Sequence, residues 1–212
     1  MNRTVIELRR HAEPMKDPET KRSMDCLTVQ GMTDAMDLGS RDYLGQNDLR
    51  VYHSGMSRAR ETADGILVGA GVVPVSFEDM PRELGLGAFK GKKLPSGVPY
   101  GAEFIDYIVA ENPGIAQVVG QEVMGFLERA YQGSMDGGSA LGISHGPKVE
   151  MGYGLLVGVP ENELGQFAAS PLDGFALYVD RNERSGSIDQ VTLGFKGEKN
   201  QPLAKEMLPF LR

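Results

Sequence analysis

Short apolar runs rich in β-branched residues alternate along this chain with longer runs of helical spacing, and that alternation limits the folds open to it. Residues 4–8, 49–53, 72–77, 139–144, 175–180 and 188–195 read as strands. Between them, 28–38 carries Val29, Met32, Ala35 and Met36 on one helical face and closes at Gly39. Met56, Ala59, Ala63, Ile66, Leu67 and Ala70 recur at helical spacing and stop at Gly71. Further helices are expected over 102–110, 114–131 and 148–157, the second with Ile115, Val119, Val123, Phe126, Leu127 and Ala130 on one stripe. The segments 13–26 and 81–99, punctuated by Gly, Pro and charge, read as loops. Strand and helix in alternation predict an α/β fold: a three-layer α/β/α sandwich with a largely parallel central sheet. One domain is expected over 1–212, with 98–138 as a small helical cap over the strand ends.

At 212 residues such a chain can bury roughly 70% of its unfolded surface, enough to fold without staples. Its single cysteine, Cys26, excludes a disulfide framework and a cysteine-based zinc cluster. A net charge of −7, from 22 basic and 29 acidic residues, repels nucleic acid and anionic membranes, so neither is expected as a partner. No run approaches the roughly 18 apolar residues of a membrane span. The opening residues also lack the apolar stretch of about 7–15 residues that marks a signal peptide. A soluble, cytoplasmic protein is the expectation. Any phosphate-binding site on so acidic a chain must gather its positive charge locally.

In open α/β sheets ligands bind beyond the carboxyl ends of the strands. Arg9-Arg10-His11-Ala12-Glu13 follows the first expected strand, and Ser54-Gly55-Met56-Ser57-Arg58-Ala59-Arg60-Glu61-Thr62 the second. Pro81-Arg82-Glu83 follows the third, and His145-Gly146 the fourth. Two of the three histidines, several arginines and a glutamate therefore converge on one sheet edge. These are the residue types that phosphoryl transfer through histidine needs. A neutral imidazole attacks phosphorus, splitting one hard displacement into two. A neighbouring arginine grips the phosphate oxygens and disfavours protonation of the imidazole. A second arginine and a second histidine neutralise the equatorial oxygens. A carboxylic acid protonates the leaving oxygen and later deprotonates water. The cationic side chains do the electrostatic work of a metal, so neither metal nor cofactor is expected.

Two other motifs fail on inspection. Gly142-Ile143-Ser144-His145-Gly146 spells the nucleophile elbow of a serine hydrolase, but no histidine follows His145 to complete a triad. The glycine-rich stretch 85–93 fits neither phosphate-binding fingerprint and reads as a rim with solvent-facing lysines. Arg60 reads as a surface residue of its helix, and His53 as a pocket wall or strand end. Strand alternation turns Arg9 away from Arg10 and His11, so Arg9 and Glu13 are given no role.

The ordered motifs resemble the histidine phosphatase superfamily, the phosphoglycerate-mutase-like branch 1. The family's L-x-R-H-[GA]-E-x is matched by Leu8-Arg9-Arg10-His11-Ala12-Glu13-Pro14. Its L-T-x-x-G-x-x-Q-A is similar to 27–35, with Asp34 for Gln. Its S-x-x-x-R-A-x-E-T-A is matched at Ser54, Arg58, Ala59, Glu61, Thr62 and Ala63. Its R-E-[LI]-x-[FL]-G-x-[WF]-x-G resembles 82–91, and its S-H-G is Ser144-His145-Gly146. The resemblance implies a phosphoglycerate-mutase-like fold, His11 as phosphorylated nucleophile and Glu83 as proton donor. It implies Arg10, Arg58 and His145 as phosphate ligands. A phosphorylated small molecule is the expected substrate, with a phosphoprotein as the second class. The mutase-type stretch E-R-H-Y-G is missing around Glu83 and the cap segment is short for a mutase, which favours hydrolysis. A mutase, or a catalytically poor module binding phosphate or phosphoprotein, are the alternatives left open; the oligomeric state is not legible.

Overall fold

The computed structural model describes residues 2–19, 23–95, 98–134, 137–195 and 201–211. The parts of the expected segments 13–26, 81–99 and 98–138 that fall on 20–22, 96–97 and 135–136 lie outside the described residues. In chain order the elements are β1 (Asn2–Arg10), β2 (Pro14–Lys16), β3 (Ser23–Leu27), α1 (Val29–Asp42), β4 (Leu49–His53), α2 (Ser57–Ala70) and β5 (Ser76–Asp79). There follow α3 (Ala102–Glu111), α4 (Ile115–Gly133), β6 (Ser139–Ser144), α5 (Gly146–Val157), β7 (Gly174–Arg181), β8 (Ile188–Phe195) and β9 (Gln201–Pro202). The main sheet has the order β5-β4-β6-β1-β7-β8-β9. Its β5-β4-β6-β1 half is parallel, and β7, β8 and β9 are added antiparallel.

Period-two alternation sorts the strand residues onto two faces. Leu49, Val51, Leu141 and Ile143 turn toward α1 and α2. Ile6, Leu8, Tyr52 and Ala140 turn to the opposite face, against Val123, Phe126, Leu127 and Ala130 of α4 and Val149, Tyr153 and Leu156 of α5. Each such large apolar side chain removed from water contributes about 2 kcal/mol. The α/β/α sandwich expected from the sequence is therefore the architecture observed. A third apolar cluster joins Ile105, Ile108 and Val109 of α3 to the first turns of α4, Met151 and Leu164.

Several local expectations are corrected. The helix expected to close at Gly39 runs on to Asp42, because Gly39 is a crossing point: a β-carbon there would lie 2.0 Å from the Ile66 carbonyl of α2. The strand expected over 72–77 begins only at Ser76; Pro74 has no N–H to donate, and pairing with β4 starts at Arg50–Ser76. The loop expected over 13–26 contains the β2–β3 hairpin. Its exposed Met15 and Met24 hide any alternation. The segment 98–138, expected as a cap, splits in two. α4 packs on the sheet as one of the sandwich layers, while α3 joins the third cluster.

Candidate active site

β1 and β6 lie side by side and parallel, Arg10 opposite Ser144. After β1 the chain leaves for α1 on one face of the sheet, and after β6 for α5 on the other. That divergence opens a crevice beyond the strand ends. The next residue of each strand is a histidine. The His11 N–H donates to the Ser144 carbonyl at 2.9 Å, and the His11 and His145 rings meet edge to face with centroids 5.1 Å apart.

The tautomers follow from the partners. His11 Nδ1 lies 2.7 Å from the Ala12 carbonyl, which can only accept. Nδ1 therefore carries the proton and Nε2 keeps its lone pair. At His145 the situation is reversed: Arg58 Nη2, which can only donate, lies 3.3 Å from Nδ1. His145 Nε2–H is then left to donate to Ser54 Oγ at 2.8 Å, and the Ser54 hydroxyl proton stays free for another acceptor.

Arg58 reaches the crevice from the first turn of α2, whose N-terminus has no capping side chain of its own. Asp25 of β3 supplies the cap, accepting from the N–H groups of Ser57 (3.1 Å) and Arg58 (3.3 Å). Arg58 also donates to the Met24 carbonyl. Arg10 enters from β1 on the side opposite Arg9, as alternation requires. It donates to the Ala169 carbonyl at 2.5 Å, and its guanidinium stacks 3.9 Å above the Tyr100 ring. The Nε groups of Arg10 and Arg58 are both buried without a partner among the described residues, a cost of about 1–3 kcal/mol each unless something else accepts from them.

Burial, joined by the charges of Arg58 and Arg10, pushes His11 down to about 3, against the Ala12 hydrogen bond. His145 is held well below its ordinary value by burial and by the surrounding His11, Arg58, Lys148 and Arg10. Burial, and Arg10 nearby, also lower Arg58. Both imidazoles are thus neutral at physiological pH.

Of the five residues singled out from the sequence, His11, His145, Arg58 and Arg10 are brought together. Glu83 is not in contact with them: among the described residues its carboxylate makes no hydrogen bond or ion pair with either histidine or either arginine. It stands in the turn after β5, with its Cγ 3.5 Å from where a β-carbon on Gly125 of α4 would lie. His53 lies at the strand end against Phe77 and 3.0 Å from Asp79. Arg9 faces Glu7, Tyr43 and the Leu172 carbonyl. Ser144 Oγ donates to the Leu84 carbonyl at 2.6 Å and is fully buried, so it is no exposed nucleophile. Lys90, Lys92 and Lys93 are solvent-facing, as the rim reading expects, Lys93 also pairing with Glu111.

Sequence reasoning assigned no role to four residues here: Ser54, Tyr100, Lys148 and Glu150. The α5 run is apolar apart from Lys148 and Glu150, and both are fully buried; two charges inside so apolar a helix were the available signal. Tyr100 needs Gly146, since a β-carbon there would lie 2.1 Å from its ring. Its hydroxyl donates to Glu150, which also accepts from the Ala169 N–H at 2.6 Å. One carboxylate thereby fixes both the ring under Arg10 and the carbonyl that Arg10 holds.

Glu150 Oε2 is buried without a partner among the described residues, and burial lifts the carboxyl to about 7, against the Tyr100 and Ala169 bonds and Arg10. Between its ordinary 4.5 and about 7 the folded chain holds a proton that the unfolded chain has lost. This residue's contribution to stability therefore falls as pH rises through that window. Glu150→Gln, permanently neutral, is expected to gain about 3 kcal/mol relative to the parent between pH 4 and pH 8. Urea unfolding of both proteins at the two pH values checks this; a constant difference contradicts it.

The fold and this crevice define an α/β protein with a cationic pocket built around two neutral histidines. A family model, histidine phosphatase superfamily (branch 1), matches residues 6–181. The chain belongs to that superfamily. No curated protein matches its sequence. Among solved structures it is similar to phosphoserine phosphatase from Entamoeba histolytica, with 14% identity, 92% of this chain and 98% of that one covered, and a TM-score of 0.54. It is also similar to a mycobacterial glucosyl-3-phosphoglycerate phosphatase, at 15% identity, 93% and 99% coverage and a TM-score of 0.52. A Bacillus stearothermophilus protein gives 18% identity, 92% and 98% coverage and a TM-score of 0.53. At these identities the likeness is one of fold. Among the described residues no helix is long and apolar enough to cross a membrane.

Proposed function

We propose that the chain is a metal-independent phosphomonoester hydrolase working through a phosphohistidine on His11. The observation that carries the reading is the neutral, buried His11, whose Nε2, like the Nε–H groups of the two arginines beside it, has no partner among the described residues. In the first step Nε2 attacks phosphorus, a P–N bond forms, and the ester P–O bond breaks. Glu83 gives its proton to the departing oxygen. In the second step Glu83 takes a proton from water, the hydroxide attacks phosphorus, and the P–N bond breaks to release inorganic phosphate.

Arg10, Arg58 and His145 bind the phosphate oxygens in this scheme. Ser54 extends His145, its hydroxyl donating a hydrogen bond to a phosphate oxygen. Neutrality of His11 keeps the nucleophile available well below neutral pH. Tyr100 covers the pocket from the segment preceding α3, within a single domain. The substrate is a phosphorylated small molecule met in the cytoplasm, consistent with a net charge of −7 that disfavours nucleic acid and membranes. That two of the structural neighbours are named phosphatases fits the same class.

The test is phosphate release from p-nitrophenyl phosphate and a panel of metabolite phosphomonoesters, each with and without EDTA, beside an assay for isomerisation of 3-phosphoglycerate. Net phosphate release unchanged by EDTA is expected. Isomerisation without phosphate release assigns a mutase instead, and an EDTA loss restored by added metal contradicts the metal-free scheme. Tight vanadate binding with no turnover identifies a binding module.

A further inference from the structure

Lys148 is fully buried, and each of its three ammonium protons has an acceptor. It donates to the carbonyl of Arg82 at 2.9 Å, to that of Glu83 at 2.8 Å, and to the carboxylate of Glu122 on α4. Burying a lysine is expensive unless its partners are well placed, and an apolar residue would suit this stretch of α5 as packing. The ammonium group is instead spent on two successive carbonyls of one turn. Ser144 Oγ takes the next carbonyl, Leu84, at 2.6 Å. The Met80 N–H ties the start of the turn to the His53 carbonyl at 2.8 Å. Lys148 also lies one turn beyond His145, its N–H bonded to the His145 carbonyl at 3.1 Å. The helix that presents His145 to the pocket therefore also grips the turn that bears Glu83.

We propose that Lys148, anchored on Glu122, is a positioning residue that sets the Glu83 turn so that its carboxyl meets the leaving oxygen above His11. The inference rests on the assignment of Glu83 as general acid given above. An acid acts only within hydrogen-bond reach of the atom it protonates, and small displacements of a supporting element are costly. Among the described residues the Glu83 carboxyl makes no hydrogen bond or ion pair with the histidines or arginines of the pocket, so the backbone of its turn must hold it. Burial lowers the Lys148 ammonium group, and the Glu122 bond opposes that lowering without cancelling it.

Four proteins decide the matter: the parent, Glu83→Gln, Lys148→Met, and the double variant Lys148→Met/Glu122→Leu, which leaves no unpaired carboxylate should the single variant fold poorly. Each is assayed against p-nitrophenyl phosphate, whose leaving group needs little protonation, and against an alkyl phosphate, whose leaving group needs much. Glu83→Gln and both Lys148 variants are expected to lose at least about tenfold more activity on the alkyl ester than on the aryl ester, within the range that general acids supply. Equal losses on both esters in the Lys148 variants, beside a selective loss in Glu83→Gln, overturn the positioning role and leave the acid assignment standing. Equal losses in Glu83→Gln itself remove the acid assignment and this inference with it.

Discussion

Replacing His11 by alanine is expected to cut phosphate release by at least roughly a hundredfold while leaving the fold intact. The side chain is buried, yet what it contributes to packing is replaceable. The bonds that hold this corner are made by the backbone: the His11 N–H to Ser144, and the Ala12 N–H to Thr62 Oγ1 at 3.0 Å. Both survive the substitution, as does the β1–β6 pairing beneath them. What disappears is the imidazole nitrogen beside the two arginines that has no partner among the described residues. Activity against p-nitrophenyl phosphate together with thermal unfolding checks both halves; residual turnover above about a hundredth of the parent places the nucleophile elsewhere.

Arg58→Met is expected to lower kcat/KM by about 10²–10³, the scale of a lost donor to developing charge in a water-poor site. It carries a second signature that a merely structural residue lacks. The Arg58 charge is among the causes holding both His11 and His145 down. Without it both imidazoles accept protons more readily, so the acid limb of the kcat/KM profile moves to higher pH. The effect has one sign only: a limb that stays in place, or moves to lower pH, contradicts the electrostatic account of this pocket.

The half of the fold that carries the pocket was legible because its strands are short, apolar and separated by amphipathic helices, whose periods of two and 3.6 residues are easily told apart. What escaped was set by contacts distant in sequence. Gly39 looks like a helix stop, and only the crossing with Ile66 shows why the helix continues. α4 looks like a cap, because nothing in its sequence says which surface its stripe of Val123, Phe126 and Leu127 will meet. The β2–β3 hairpin exposes both methionines and so offers no alternation, although its Asp25 caps α2 and thereby places Arg58.

The pocket divides in the same way. His11 and His145 could be foreseen because each follows a strand, and neighbouring parallel strands deliver consecutive chain ends to one edge. Arg9 and Arg10 could be told apart by strand alternation alone. Ser54 was visible as a motif letter without a task; its bond to His145 supplies one. Tyr100, Lys148 and Glu150 act through burial and through partners remote in sequence, so nothing short of the packed structure could pair Tyr100 with Arg10 or Lys148 with the Glu83 turn. Glu83 is the reverse case: its motif is plain in the sequence, while among the described residues its carboxylate makes no hydrogen bond or ion pair with either histidine, and what the structure shows of it is a turn whose backbone carbonyl Lys148 holds.

The most direct measurement is a single-turnover reaction of excess protein with a 32P-labelled phosphomonoester, quenched in alkali, where phosphohistidine survives and phosphoserine does not, and mapped by peptide mass. The account predicts transient label, acid-labile and confined to the peptide bearing His11, rising and falling as phosphate appears, and absent from His11→Ala. Phosphate release at an undiminished rate in His11→Ala, or label on any other side chain, contradicts it.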